Sequence, residues 1–131
     1  MQRHCENGEK VAHFLRNHPK VEKVYWIGFE DHPNHDIACK QMRGFGGMIS
    51  FVLKGDQLED AMRVLSGTKL FALAESLGGV ESLIGHPASM THGAIPREER
   101  IKNGLADSLI RLSVGIEDAN DLIEDLRLAI G

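Results

Sequence analysis

Apolar positions recur with two different periods along the chain, and their alternation predicts interleaved helices and strands. Val11, Phe14 and Leu15 fall at helical spacing within residues 6–17, so a first helix is expected there. "VEKVYWIGF" is dense in β-branched and aromatic side chains and reads as a strand. In "DHPNHDIACKQM", Asp31 can cap a helix whose first turn holds a proline. Gly44, Gly46 and Gly47 end that helix, and "MISFVLKG" reads as the second strand. "DQLEDAMRVLS" places Leu58, Ala61, Met62 and Leu65 on one helical face. "KLFALAES" returns to strand, residues 74–93 read as a long loop, and "REERIKNGL" reads as a short helix. "SLIRLSVG" is a strand, and "EDANDLIEDLRLAI" closes the chain as a helix with Leu122, Ile123, Leu126 and Ile130 inward.

The interleaving predicts an α/β fold. Its helices are amphipathic rather than apolar all round, which favours a two-layer sandwich with helices mostly on one face of a sheet. A length of 131 residues suits a single domain, 1–131, and 42% hydrophobic with 26% charged residues is ordinary for a globular chain. The net charge of −4, with scattered lysines and arginines, argues against a nucleic-acid surface. No apolar run is long enough to span a bilayer, and the N-terminus lacks the apolar core of a targeting segment. Cys5 and Cys39 sit in no metal or redox spacing and read as reduced thiols of a cytoplasmic protein.

Several stretches offer chemistry. His32 and His35 in "HPNH" lie one helical turn apart beside Asp31 and Asp36, but no third ligand of clear geometry joins them. A solvated helix start explains all four, and no metal site is expected. "GFGG" follows a helix and precedes a strand, the reverse of a dinucleotide loop, and reads as a helix stop and turn. In "LIRLSV", strand alternation puts Ile110, Leu112 and Val114 on one face and Leu109, Arg111 and Ser113 on the other. Arg111 is either a solvated mid-strand position or a planar fork aimed at a carboxylate. Within residues 74–93, Glu75, Ser76, Ser82, His86 and His92 can each simply satisfy loop backbone, although so long a loop is often functional.

Together, "KLFALAESLGGVESLIGHPASMTHG" and "LIRLSVGIEDANDLIEDL" resemble the C-terminal part of the Cys/Met-metabolism family of pyridoxal-phosphate (PLP) enzymes, which includes cystathionine γ-synthase and γ-lyase and methionine γ-lyase. The similarity continues upstream in "HPNHDIACKQMRGFGGMISFVLKG" and covers nearly the whole chain. One departure is "YWIGFEDHP", where the family usually carries Tyr-Pro-Gly. The resemblance implies the C-terminal subdomain of a fold-type I PLP enzyme, with a small, mainly antiparallel sheet. It also implies a longer parent with a transsulfuration activity, a sulfur amino acid as substrate, and a homotetrameric assembly.

The resemblance further assigns roles to particular residues. Arg111 matches the arginine that binds the substrate α-carboxylate. Ser76 matches a serine that helps position the cofactor lysine of the parent, and Leu77 a neighbour whose backbone lies near the substrate. Glu75 matches the γ-synthase and γ-lyase branch, where an acid can meet the distal amino group of cystathionine. "SGTK" imitates the family's Ser-x-Thr-Lys, but Lys69 precedes the Ser-Leu-Gly-Gly strand and is rejected as the cofactor lysine. That lysine, the ring partners and the phosphate-binding segment would lie upstream. The chain alone is therefore expected to bind no PLP and to be catalytically silent, with His86 and His92 serving as scaffold. The competing expectation is a stand-alone regulatory module that holds an amino acid through Arg111.

Overall fold

The computed structural model describes residues 2–29, 35–41, 44–55, 58–73, 81–86, 98 and 108–130. Among the described residues, the helices and strands run in the order α1 (Gln2–Arg16), β1 (Val21–Tyr25), α2 (His35–Gln41), β2 (Met48–Leu53), α3 (Leu58–Gly67), β3 (Ala72–Leu73), β4 (Leu83–Gly85), β5 (Ile110–Ser113) and α4 (Ala119–Ile130). The strands form one sheet in the order β1-β2-β5-β4-β3. All neighbours are antiparallel except β3 and β4.

The ends of the helices follow from local chemistry. α1 stops where the Asn17 side chain donates to the His13 carbonyl at 3.0 Å, and Pro19 follows two residues later. α4 starts on Asp118, whose Oδ1 accepts from the backbone N–H of Asn120 at 2.9 Å and Asp121 at 3.2 Å. A short acceptor at that position satisfies donors that the first helical turn leaves without partners.

Sheet register assembles the core. Ile49 lies opposite Leu112, Leu112 opposite Ile84, Phe51 opposite Ile110, and Val24 opposite Phe51. Together with Val11 and Leu15 of α1 and Leu122 and Leu126 of α4, all of these but Val24 form one buried cluster, and the partly buried Val24 packs against it. α1 packs on β1, β2 and α4, and α3 packs on α4, so these three helices make the second layer. The predicted α/β architecture and its mainly antiparallel sheet are what the molecule has.

Four local expectations need correction. Residues 74–93 are not all loop, because β4 inserts Leu83–Gly85 between β5 and β3. Three residues are too few for a strand period to register, and it is pairing with β5 that makes them a strand. The strand predicted over "VEKVYWIGF" ends at Tyr25. Trp26 to Phe29 then turn, with the Phe29 N–H bonded to the Trp26 carbonyl at 3.1 Å and both rings buried. On α3, Met62 is 37% exposed and Val64 is buried in its place. Of "KLFALAES", only Ala72 and Leu73 are strand among the described residues. The helix predicted over "REERIKNGL" lies outside the described residues apart from Glu98.

"GFGG" is a turn that meets α1. Gly46 has φ +72°, a left-handed backbone that suits glycine. A Cβ on Gly8 of α1 would stand 2.2 Å from the Gly46 carbonyl oxygen. Alanine is favoured over glycine inside a helix by about 1 kcal/mol, yet here the contact is backbone on backbone. Gly8→Ala is therefore expected to be destabilising by a net of about 1–3 kcal/mol. Urea denaturation checks this, and a stabilised variant would contradict the packing.

Candidate functional site

Arg111 sits on β5, the central strand, on the sheet face opposite the core cluster. The parity read from "LIRLSV" holds for the core side: Ile110, Leu112 and Val114 are at most 1% exposed, while Arg111 is half-buried. Register places one row across the sheet, Tyr25–Ser50–Arg111–Gly85, from four successive strands. Ser50 and Gly85 flank Arg111, so small side chains surround a long cationic one. Tyr25 and Met48, also on this face, are each 39% exposed. A guanidinium in such a row presents several donors in a fixed fork, which suits a carboxylate ligand.

Two carboxylates from the C-terminal segment hold the backbone around this row, and neither was singled out from the sequence. Glu117 grips the start of β4. Its Oε2 accepts from the Ser82 N–H at 2.9 Å and its Oε1 from the Ser82 hydroxyl at 2.8 Å. Ser82 Oγ in turn accepts from the Gly115 N–H at 2.8 Å. From α1, the buried Asn7 amide donates to the Gly115 carbonyl at 3.0 Å and the Glu117 carbonyl at 2.6 Å. This network ties β4 to the turn that follows the arginine strand, and so fixes the register that sets Gly85 beside Arg111. Ser82, expected as a loop residue, is fully buried within it.

Asp125 is the second carboxylate. It lies on the apolar face of α4 between Leu122 and Leu126, and is 8% exposed. Its oxygens accept the N–H groups of Lys69 at 2.8 Å, Leu70 at 2.9 Å and Phe71 at 3.2 Å. An acid within a helical apolar stripe is a signal that a sequence can show, because a buried carboxylate needs donors.

The remaining candidates are either outside the described residues or engaged elsewhere. Glu75, Ser76, Leu77 and His92 lie outside the described residues, as do Asp31 and His32. Lys69 is exposed in the turn between α3 and β3. His86, immediately after β4, is 1% exposed. His35 is engaged with Ile27 and Cys39, and Asp36 is exposed. Among the described residues no group of three His, Cys, Asp or Glu could hold a metal ion, and no helix is long and apolar enough to cross a membrane. A cleft of about 220 Å³, lined by Lys20, Lys54, Arg63, Leu53, Val64 and Ile130 among others, shares no residue with the Arg111 row.

The described residues do not fit PLP by themselves. The described lysines, Lys10, Lys20, Lys23, Lys40, Lys54 and Lys69, are all exposed, whereas a cofactor lysine must be enclosed with the ring it carries.

The family model for Cys/Met metabolism PLP-dependent enzymes matches residues 1–131. The chain is 58% identical over 130 residues to the cystathionine beta-lyase of Coxiella burnetii, covering 99% of this chain and 33% of that protein. It is 52% identical over 130 residues to the cystathionine gamma-lyase of Dictyostelium discoideum, with the same coverage of 99% and 33%. Among solved structures, the cystathionine gamma synthase of Xanthomonas oryzae pv. oryzae in complex with cystathionine superposes with a TM-score of 0.91 at 48% identity, over 99% of this chain and 33% of that one. The chain thus spans about a third of the length of each of these proteins.

Proposed function

The chain belongs to the family of Cys/Met metabolism PLP-dependent enzymes, and on that premise we propose that it is the C-terminal, substrate-binding domain of a longer transsulfuration enzyme. The parent acts in the cytoplasm, as a homotetramer, on the carbon–sulfur chemistry of cystathionine-type amino acids by γ-elimination or γ-replacement. The lysine that carries PLP and the groups that hold its ring and phosphate belong to the rest of the parent. The 131 residues alone are catalytically inactive.

The observation that carries this reading is the placement of Arg111. A half-buried guanidinium at the centre of a sheet face, between the small residues Ser50 and Gly85, has the chemistry that grips a carboxylate at two points. Holding an α-carboxylate at two points fixes the direction of the bonds at the neighbouring carbon, and this orientation is what the domain contributes to the rate. Ser76 positions the amine of the cofactor lysine, Leu77 lines the substrate with its backbone, and Glu75 meets the distal ammonium of cystathionine. The acid at position 75 favours a cystathionine-handling parent over a methionine γ-lyase.

Arg111→Lys in the parent enzyme tests the reading. Lysine keeps the charge but loses the fork, so about one charge-assisted hydrogen bond disappears. The expected fall in kcat/KM is about 10–100-fold, the equivalent of ~1.5–3 kcal/mol. An α-carboxamide substrate should lose most of its disadvantage in the variant. An unchanged kcat/KM would overturn the assignment. Tight, arginine-dependent amino-acid binding by the 131 residues alone would instead point to a free-standing module.

A further inference from the structure

Away from the arginine row, α2 carries a cysteine with a base beside it. The Cys39 thiol lies 3.3 Å from His35 Nε2, one helical turn earlier. The other ring nitrogen, His35 Nδ1, is 2.9 Å from the Ile27 carbonyl oxygen. A carbonyl can only accept, so Nδ1 must carry the proton of that bond. In the neutral ring this leaves Nε2 bare, and the Cys39 S–H is the donor towards it. The imidazole is further held by the Phe45 ring, with centroids 5.4 Å apart and planes inclined by 35°. Nucleophile, base and a group that orients the base therefore stand in sequence, the arrangement that activates a side chain for attack.

The two cysteines differ in access. Cys39 is exposed. Cys5 is half-buried on α1, with its sulfur only 2.6 Å from where a Cβ on Gly44 would sit. Small reagents can reach Cys39 directly, and Cys5 serves as an internal comparison.

We propose that Cys39, His35 and the Ile27 carbonyl form a thiol-exchange site at which a low-molecular-weight disulfide modifies the protein. In the step, His35 Nε2 takes the thiol proton as Cys39 Sγ attacks one sulfur of the disulfide. The new bond is Cys39–S–S–R, the old S–S bond breaks, and the departing thiolate leaves and takes the proton from His35. Oxidation states balance, because the protein thiol is oxidised as one half of the reagent is reduced. A free thiol reverses the reaction by the same route. The site does not depend on the reading of Arg111.

The test uses 5,5′-dithiobis(2-nitrobenzoic acid) on the 131-residue chain, following the released thiolate and mapping the modified cysteine by mass spectrometry. Cys39 should be modified roughly tenfold faster than Cys5, and His35→Gln should slow it by a similar factor, below the ~10²-fold of a base in a closed site. His35 also anchors α2, so a variant in which Cys5 becomes fast has loosened rather than lost its base. In that event the unaltered chain decides: native Cys39 must react faster than the same thiol in the guanidinium-unfolded chain. Native Cys39 reacting more slowly than in the unfolded chain overturns the proposal. A folded His35→Gln variant reacting at the unaltered rate does the same.

Discussion

Replacing Asp125 with alanine is expected to destabilise the domain by about 3–5 kcal/mol. The carboxylate accepts three consecutive backbone N–H groups, from Lys69, Leu70 and Phe71, across the gap between α4 and the lead into β3. Hydrogen bonds to a charged group contribute about 1.5–3 kcal/mol each, and a buried donor left alone costs about 1–3 kcal/mol. The simple sum overshoots, because the Lys69 and Leu70 side chains are exposed and water can reach parts of that turn. The bond from the Phe71 N–H is buried, and that donor carries its full desolvation cost. Asp125→Asn should lose about half as much as alanine, since one oxygen still accepts while the new amide turns donors towards donors. Denaturant titration checks both through the shift in midpoint at unchanged slope. A loss under about 1 kcal/mol for alanine would mean that the segment re-solvates freely and that Asp125 does not hold it.

Phe51→Ala carries the other large expected effect, about 3–5 kcal/mol. Phe51 is fully buried on β2 and lies opposite Val24 on one side and Ile110 on the other. It therefore bridges three strands, and its removal leaves a cavity that strands paired on both sides cannot collapse to fill. Tyr25→Ala, one strand away on the opposite face and 39% exposed, is the control and should stay within about 0.5 kcal/mol. Equal losses from the two variants would contradict the assignment of the core to the Phe51 face.

Much of the architecture is legible in the chain itself. Helical spacing in α1 and α4 marks Val11, Leu15, Leu122, Leu126 and Ile130, and all five are core residues. Strand parity puts Arg111 across the sheet from Ile110 and Leu112, and that is where it lies. These readings succeed because a helix or strand repeats over a few neighbouring residues, so burial of one face leaves its period in the sequence. The motifs around "ESLGG" and "IRLSVGIED" likewise led to the family to which the chain belongs.

What escaped the sequence is set by partners far apart in the chain. β4 is a strand only because β5 pairs with it, and Val64 replaces Met62 inside only because α3 packs on α4. Gly8 faces Gly46 across 38 positions of chain, Ser82 is held by Glu117 over a separation of 35, and Phe71 by Asp125 over 54. Local patterning determined the elements, their buried faces and the family. Tertiary contact alone decided the row beside Arg111, the two carboxylates that hold its surroundings, and the proton position on His35 that turns Cys39 towards a base. The reason is physical: period and propensity act between near neighbours, whereas a hydrogen-bond acceptor has no meaning until the chain brings its donor within about 3 Å.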